Sequence, residues 1–224
     1  HTVLDVNKIH FILASTPIEK FDQLLSELKL QLNKYRQEYQ LESFDYYFDK
    51  LAVASRFDTK EVIFVKRLLQ VELPEELRKK ITDDIFVKTV GVEESAFSRE
   101  LYMCVDQIKC MVDCGMHVGS HGYDHYWLSS LSKEKQEYEI AKSIEFIGNI
   151  GGDPNNWTIC YPYGNYNEDT IDLLKQHGCK LGLTTKVDLA SPNDGVVDGI
   201  YKLPRLDVND LPKDANAEPN QWYI

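Results

Sequence analysis

The chain has 224 residues, 36 of them acidic and 25 basic, for a net charge of −11. That balance argues against a generic nucleic-acid binder, while 43 % hydrophobic residues supplies a real core and argues against wholesale disorder. No apolar run reaches the roughly 18 residues that a membrane helix needs, and the first residues lack the charged, apolar and cleavage regions of a signal peptide. The chain opens at His1 rather than Met, so further sequence is expected upstream. Cys104, Cys110, Cys114, Cys160 and Cys179 are odd in number and lack paired spacing. They read as free thiols of a reducing compartment, which predicts a cytoplasmic protein.

In chain order, Thr16-Pro17-Ile18-Glu19 reads as a helix start, with Thr as the cap, Pro at the first position and Glu at the third. The stripe Phe21, Leu24, Leu25, Leu28, Leu30 and Leu32 carries that helix to about Tyr39. Thr59 caps a second helix bearing Val62, Ile63, Val65, Leu68 and Leu69. Leu73-Pro74 introduces a third, through Ile81, Ile85 and Phe86. Residues 93–114 predict a fourth, closed by Gly115. From 116 the texture changes. Strands are predicted at 116–119, 157–161 and 180–185, with a last one at 200–208 interrupted by Pro204. Helices are predicted at 132–150 and 168–177, the second closed by Gly178. This alternation implies β/α units around a mostly parallel sheet, with chemistry at the carboxyl ends of the strands.

The polar clusters fall at those ends. In Ser120-His121-Gly122-Tyr123-Asp124-His125, two imidazoles four positions apart can converge on one cation if the segment turns helically. Asp124 can accept a ring N–H and set which nitrogen faces the metal. The plainer alternative is two surface histidines. In Cys160-Tyr161-Pro162-Tyr163-Gly164, Gly164 permits a close backbone approach, Pro162 stiffens the turn, and an exposed N–H could meet an oxyanion. The plainer alternative is an ordinary strand-to-helix turn. A third grouping, Cys110, Cys114, His117 and His121, has the residue types of a structural zinc module, although Met103, Val105, Ile108, Met111 and Val112 make those cysteines read as buried apolar positions.

Together the two motifs resemble the polysaccharide deacetylase family (NodB-like, carbohydrate esterase family 4). Residues 119–125 look like its metal-binding histidine motif, and Tyr161-Pro162-Tyr163-Gly164 looks like the motif that shapes one wall of its groove. Leu181-Gly182-Leu183-Thr184-Thr185 and Leu203-Pro204-Arg205 resemble later family strands. The likeness spans residues 116–208. It implies an α/β fold: the C-terminal part of a (β/α) barrel over 116–224, with a large helical insertion over 1–115 like that of branches linked to surface-polysaccharide and O-antigen biosynthesis. The family's T-F-D-D motif, source of a metal-binding aspartate and a catalytic base, is absent. Thr82-Asp83-Asp84 is its only echo and lies within a helical pattern, so the motif is expected upstream of His1. Cys160 stands where many members carry Arg, and the late leucine-rich histidine motif is not visible.

The resemblance implies a hydrolase of a non-peptide C–N bond, removing N-acetyl groups from an amino sugar. His121 and His125 would hold a divalent metal, zinc by preference, with Asp124 orienting a ring. The Tyr163 backbone N–H would stabilise the oxyanion and Arg205 would position an acid or base. Tyr123, Tyr161, Pro162 and Gly164 would line the sugar site. Lacking the aspartates, the chain is expected to be a poor catalyst, and an uncovered strand edge implies a homodimer or a covering partner. The rival reading is a non-catalytic carbohydrate-binding or scaffold homologue.

Overall fold

The computed structural model describes residues 2–55, 58–191, 198–214, 216, 218, 221 and 222. The chain divides into two compact units, His1–Met103 and Cys104–Ile224. The change of texture in the sequence lies about twelve residues later, because the predicted 93–114 helix is two helices: α6 (Glu94–Leu101) closes the first unit and α7 (Val105–Asp113) opens the second. Tyr102 is extended at φ −111°, ψ 148°, and separates them.

The first unit is helical: α1 (Asp5–Ala14), α2 (Phe21–Tyr35), α3 (Phe44–Leu51), α4 (Lys60–Arg67), α5 (Glu75–Val90) and α6. Their apolar faces meet in one core that includes Ile9, Ile12, Leu28, Phe64, Leu68, Leu77, Ile81 and Phe86. Burial of such side chains contributes roughly 1.5–3 kcal/mol each. Thr59 caps α4 by accepting from Val62 N. Thr16 does not start a helix. Its hydroxyl donates to Ile12 O at 2.7 Å and so finishes α1, while residues 18–20 form one tight turn before α2. Thr82-Asp83-Asp84 lies within α5, with Thr82 fully buried and Asp83 paired to the buried Lys8 of α1. Lys8 also reaches Glu94 at 2.9 Å. Burial alone would lower the Lys8 pKa, but hydrogen bonds to Asp83 and Glu94 outweigh it and raise the value.

In the second unit, Ser132 caps α8 (Lys133–Asn149) and Asn167 caps α9 (Glu168–Gln176). The two helices pack together through Ile140, Ile147, Ile171 and Leu174. They are also tied by a buried chain of hydrogen bonds: Thr170 Oγ1 donates to Gln136 Oε1 at 2.6 Å, and Gln136 Nε2 donates to Asn167 Oδ1 at 3.3 Å. The strands are shorter than predicted: β1 (Ile159–Cys160) and β2 (Gly182–Leu183) pair in parallel. Single parallel bridges extend the ladder, Ser120 to Ile159 on one side and Leu203 to Leu183 on the other. No strand forms at 116–119, the bridge falling on the next residue, Ser120, and the one predicted at 200–208 reduces to the Leu203 bridge, with a short helical turn at Gly199–Tyr201. Their neighbours are distant in sequence, so alternation alone does not fix their extent. Among the described residues the ladder therefore has four parallel segments, in the order 120, β1, β2, 203.

Candidate metal and groove site

Parallel pairing puts all the carboxyl ends on one side. His121 follows Ser120, the Tyr161–Gly164 turn follows β1, Thr184 and Thr185 follow β2, and Arg205 follows Leu203. The main chain fixes this register: Cys160 N donates to Ser120 O at 2.9 Å, Tyr161 N to Leu183 O at 3.1 Å, and Thr184 N to Leu203 O at 2.9 Å.

The two imidazoles converge. Their Nε2 atoms are 3.2 Å apart and the rings meet edge to face, with centroids 4.8 Å apart. His121 Nδ1 lies 2.6 Å from Cys160 O. A carbonyl can only accept, so Nδ1 carries a proton, and in the neutral ring Nε2 keeps its lone pair. Two nitrogens on one zinc-like ion, each about 2.05 Å from it at a tetrahedral angle, would be about 3.3 Å apart. The pair therefore fits two corners of a cation site, and the same spacing suits one proton shared between the rings. Among the described residues no group of three or more His, Cys, Asp or Glu is arranged around a common point, so a complete ligand set is not present there.

The second motif meets the first. Tyr163 has left-handed backbone angles (φ 57°, ψ 11°) and Gly164 follows at φ 68°. The resulting tight turn is closed by Asn165 N donating to Pro162 O at 3.0 Å. Tyr163 packs its ring edge to face on His125 at 4.8 Å and stacks on Trp127 at 4.7 Å with an interplanar angle of 15°. Pro162 is buried, and a Cβ on Gly122 would lie 3.2 Å from its Cγ, so the two loops touch. Arg205 Nη1 reaches Cys160 Sγ at 3.7 Å, which places it beside the residue whose carbonyl holds His121.

Two expectations, the groove-lining Tyr161 and the cysteine zinc module, are corrected. Tyr161 does not line a groove: it is 1 % exposed, its hydroxyl donates to Tyr201 O at 2.7 Å, and burial lifts its pKa far above the ordinary phenol value. Tyr123 is half exposed, with its ring edge on Tyr138 of α8 at 6.0 Å. Asp124 offers its backbone N–H to Glu139 at 2.9 Å. Cys110 and Cys114 are exposed rather than buried, and His117 turns to Thr158 Oγ1 at 3.1 Å, so the structural zinc module is not formed. Trp127 and Glu139 were missed. Trp127 carries no motif, whereas Glu139 had a faint signal as a carboxylate on the apolar face of α8 between Gln136 and Ile140.

These motifs, joined on a parallel ladder, define a recognisable class. The sequence profile of the polysaccharide deacetylase family matches residues 52–182, more than half of the chain, and the chain belongs to that family. It is 32 % identical over 121 residues to the Bacillus subtilis protein YxkH, named a polysaccharide deacetylase, covering 54 % of this chain and 42 % of that protein. A peptidoglycan deacetylase of Helicobacter pylori is 32 % identical over 75 residues, 34 % of this chain and 25 % of that one, so the chain spans under half the length of either relative. A Staphylococcus aureus poly-β-1,6-N-acetyl-D-glucosamine N-deacetylase is 25 % identical over 222 residues, covering 91 % of this chain and 73 % of that one. Among solved structures, the Streptococcus pyogenes deacetylase PplD in complex with acetate aligns with a TM-score of 0.41 and 27 % identity, covering 46 % of this chain and 44 % of that one.

Proposed function

We propose that the protein removes N-acetyl groups from amino sugars of a surface polysaccharide, using a divalent cation, zinc by preference, held in part by His121 and His125. The observation that carries this reading is the meeting of the two motifs: Nε2 atoms 3.2 Å apart, with Tyr163 packed on His125. Family membership and the names of the relatives support the reaction class. In this reading the four parallel segments are part of a (β/α) barrel.

The cation, when bound, would polarise the acetyl carbonyl and acidify a water. The chain's own residues do the rest. The Cys160 carbonyl holds the His121 ring in the tautomer that leaves Nε2 available. The Tyr163 turn presents its backbone N–H toward the developing oxyanion. Arg205 supplies a positive charge beside Cys160, and Tyr123 offers an exposed ring face to a sugar.

Zinc titration calorimetry and acetate release from N-acetylglucosamine oligomers test this together. The wild type is expected to bind one zinc, and His121→Ala or His125→Ala to abolish binding with little change in melting temperature. Zinc binding that survives both substitutions overturns the metal assignment. Binding without acetate release supports the non-catalytic reading.

A further inference from the structure

We infer that Glu139 is a positioning residue for the histidine pair: one carboxylate oxygen on α8 sets the shape of the 121–125 loop and so turns both imidazoles to one point. Its consequence for metal binding rests on the cation reading proposed above.

Glu139 is 2 % exposed, on the face of α8 that also buries Gln136, Ile140, Ser143 and Ile147. A carboxylate in such a place needs partners, because burial disfavours an unpaired charge. Its Oε2 accepts from two successive main-chain donors, Tyr123 N at 2.8 Å and Asp124 N at 2.9 Å. Successive N–H groups converging on one anionic oxygen form a nest, and charge-assisted bonds of this kind are stronger than neutral ones. The two donors lie between the two residues of the loop with left-handed backbones, Gly122 at φ 78° and His125 at φ 62°.

That placement has a direct effect on the rings. A left-handed backbone is uphill for any residue with a Cβ, so His125 holds it only where its surroundings impose it. Pinning residues 123 and 124 leaves the chain little freedom between the two histidines. The loop is also wedged from both sides, since a Cβ on Gly122 would lie 3.5 Å from Glu139 Oε2 and 3.2 Å from Pro162 Cγ. The anchor itself is rigid. α8 is capped by Ser132, seated in the core by Ile140 and Ile147, and braced where Ser143 Oγ donates to Glu139 O at 2.9 Å. The helix thus transmits a fixed point to the loop through the main chain.

The test compares Glu139→Gln, Glu139→Ala and a core control, Ile147→Ala, in the full chain. Long-range 1H–15N spectra of the imidazoles are recorded without metal, followed by zinc titration. A single oxygen takes both N–H groups, so the glutamine variant is expected to keep the ring signals and to bind zinc within about 3-fold of wild type. The alanine variant should shift the signals of both His121 and His125 and weaken zinc by about 10- to 100-fold, the usual range for lost outer partners. The Ile147 control should lower the melting temperature and leave the rings in place. Should Glu139→Ala not fold, Glu139→Asp, too short to reach both donors, is expected to shift the same signals. Ring signals unchanged in the alanine or aspartate variant, or moved equally by the core control, overturn the inference. If wild type binds no zinc, the cation reading falls, and the metal-free ring spectra still decide the role of Glu139.

Discussion

Gly164 is where the groove turn and the β2 segment come closest, and Gly164→Ala should be costly for two separable reasons. The residue sits at φ +68°, and an alanine there carries about 1–2 kcal/mol of left-handed strain. The added Cβ would also lie 2.1 Å from Thr185 Oγ1 and 2.9 Å from both Thr185 Cβ and Cγ2. Rotating the threonine moves the γ atoms but not Cβ, so main chain must shift by roughly 0.6–1 Å to restore ordinary carbon contact. Overpacking of that kind costs about 1–3 kcal/mol, for a total near 2–5 kcal/mol. Urea unfolding followed by tryptophan fluorescence should show a lower midpoint with an unchanged slope. Thr185→Gly removes all three clashing atoms, so the double variant should recover the overpacking part and leave the backbone part, as read from a double-mutant cycle. A Gly164→Ala protein as stable as wild type, or a cycle without coupling, would refute this account. Because the same shift moves Tyr163 against His125, acetate release should fall about 100-fold, the usual effect of ångström-scale misplacement.

Tyr161→Phe should cost about 1–2 kcal/mol, by stranding the Tyr201 carbonyl, and leave sugar affinity unchanged in a binding titration. A weaker KM effect than stability effect is the signature expected of a core tyrosine. Trp127→Ala removes the stacking partner of Tyr163, worth about 0.5–1.5 kcal/mol beyond its area, and should lower kcat more than Trp127→Phe does in the acetate assay. The acid limb of stability should depend on Glu94. Burial alone would raise its pKa, but the Lys8 hydrogen bond and the Val3 backbone N–H hold it below the ordinary 4.5. Its contribution is therefore present in full above pH 4.5 and lost as pH falls through the lowered value. Lys8, raised above its ordinary 10.5, stays charged throughout that range. Glu94→Gln should flatten the pH dependence of the unfolding midpoint between about pH 5 and pH 3.

What the sequence made legible was whatever is written locally. Ser132 and Thr59 announce their helices because a cap bonds within three residues, and α8 and α9 carry an apolar period that survives in the fold. Neither α1 nor α3 was foreseen. α1 has a buried lysine in its apolar face, and α3 packs Tyr and Phe rings into only eight residues. Thr16 misled because the same hydroxyl that can open a helix can close one. The strand ends were overextended because Ser120 and Leu203 each find their partner through a single distant bridge. For the site, the four-residue spacing alone left two surface histidines open, and only its pairing with the Tyr-Pro-Tyr-Gly motif pointed to convergence, which the chain reaches through a loop with left-handed residues rather than the helical turn expected. Nothing in a string of letters tells that Tyr161 faces inward while Tyr163, two residues on, turns back in a left-handed bend toward His125. That depends on the parallel register of β1 with β2.

The acceptor that fixes His121 is a peptide carbonyl, not a side chain, and this insulates the ring from point mutation. Any residue at position 160 that keeps the strand offers the same oxygen, so the position is open to substitution without touching the imidazole's proton. The thiol there could be exchanged for a serine, or tagged with a small reporter, giving a spectroscopic vantage point that changes only the Arg205 contact to the sulfur and leaves the carbonyl's bond to His121 in place.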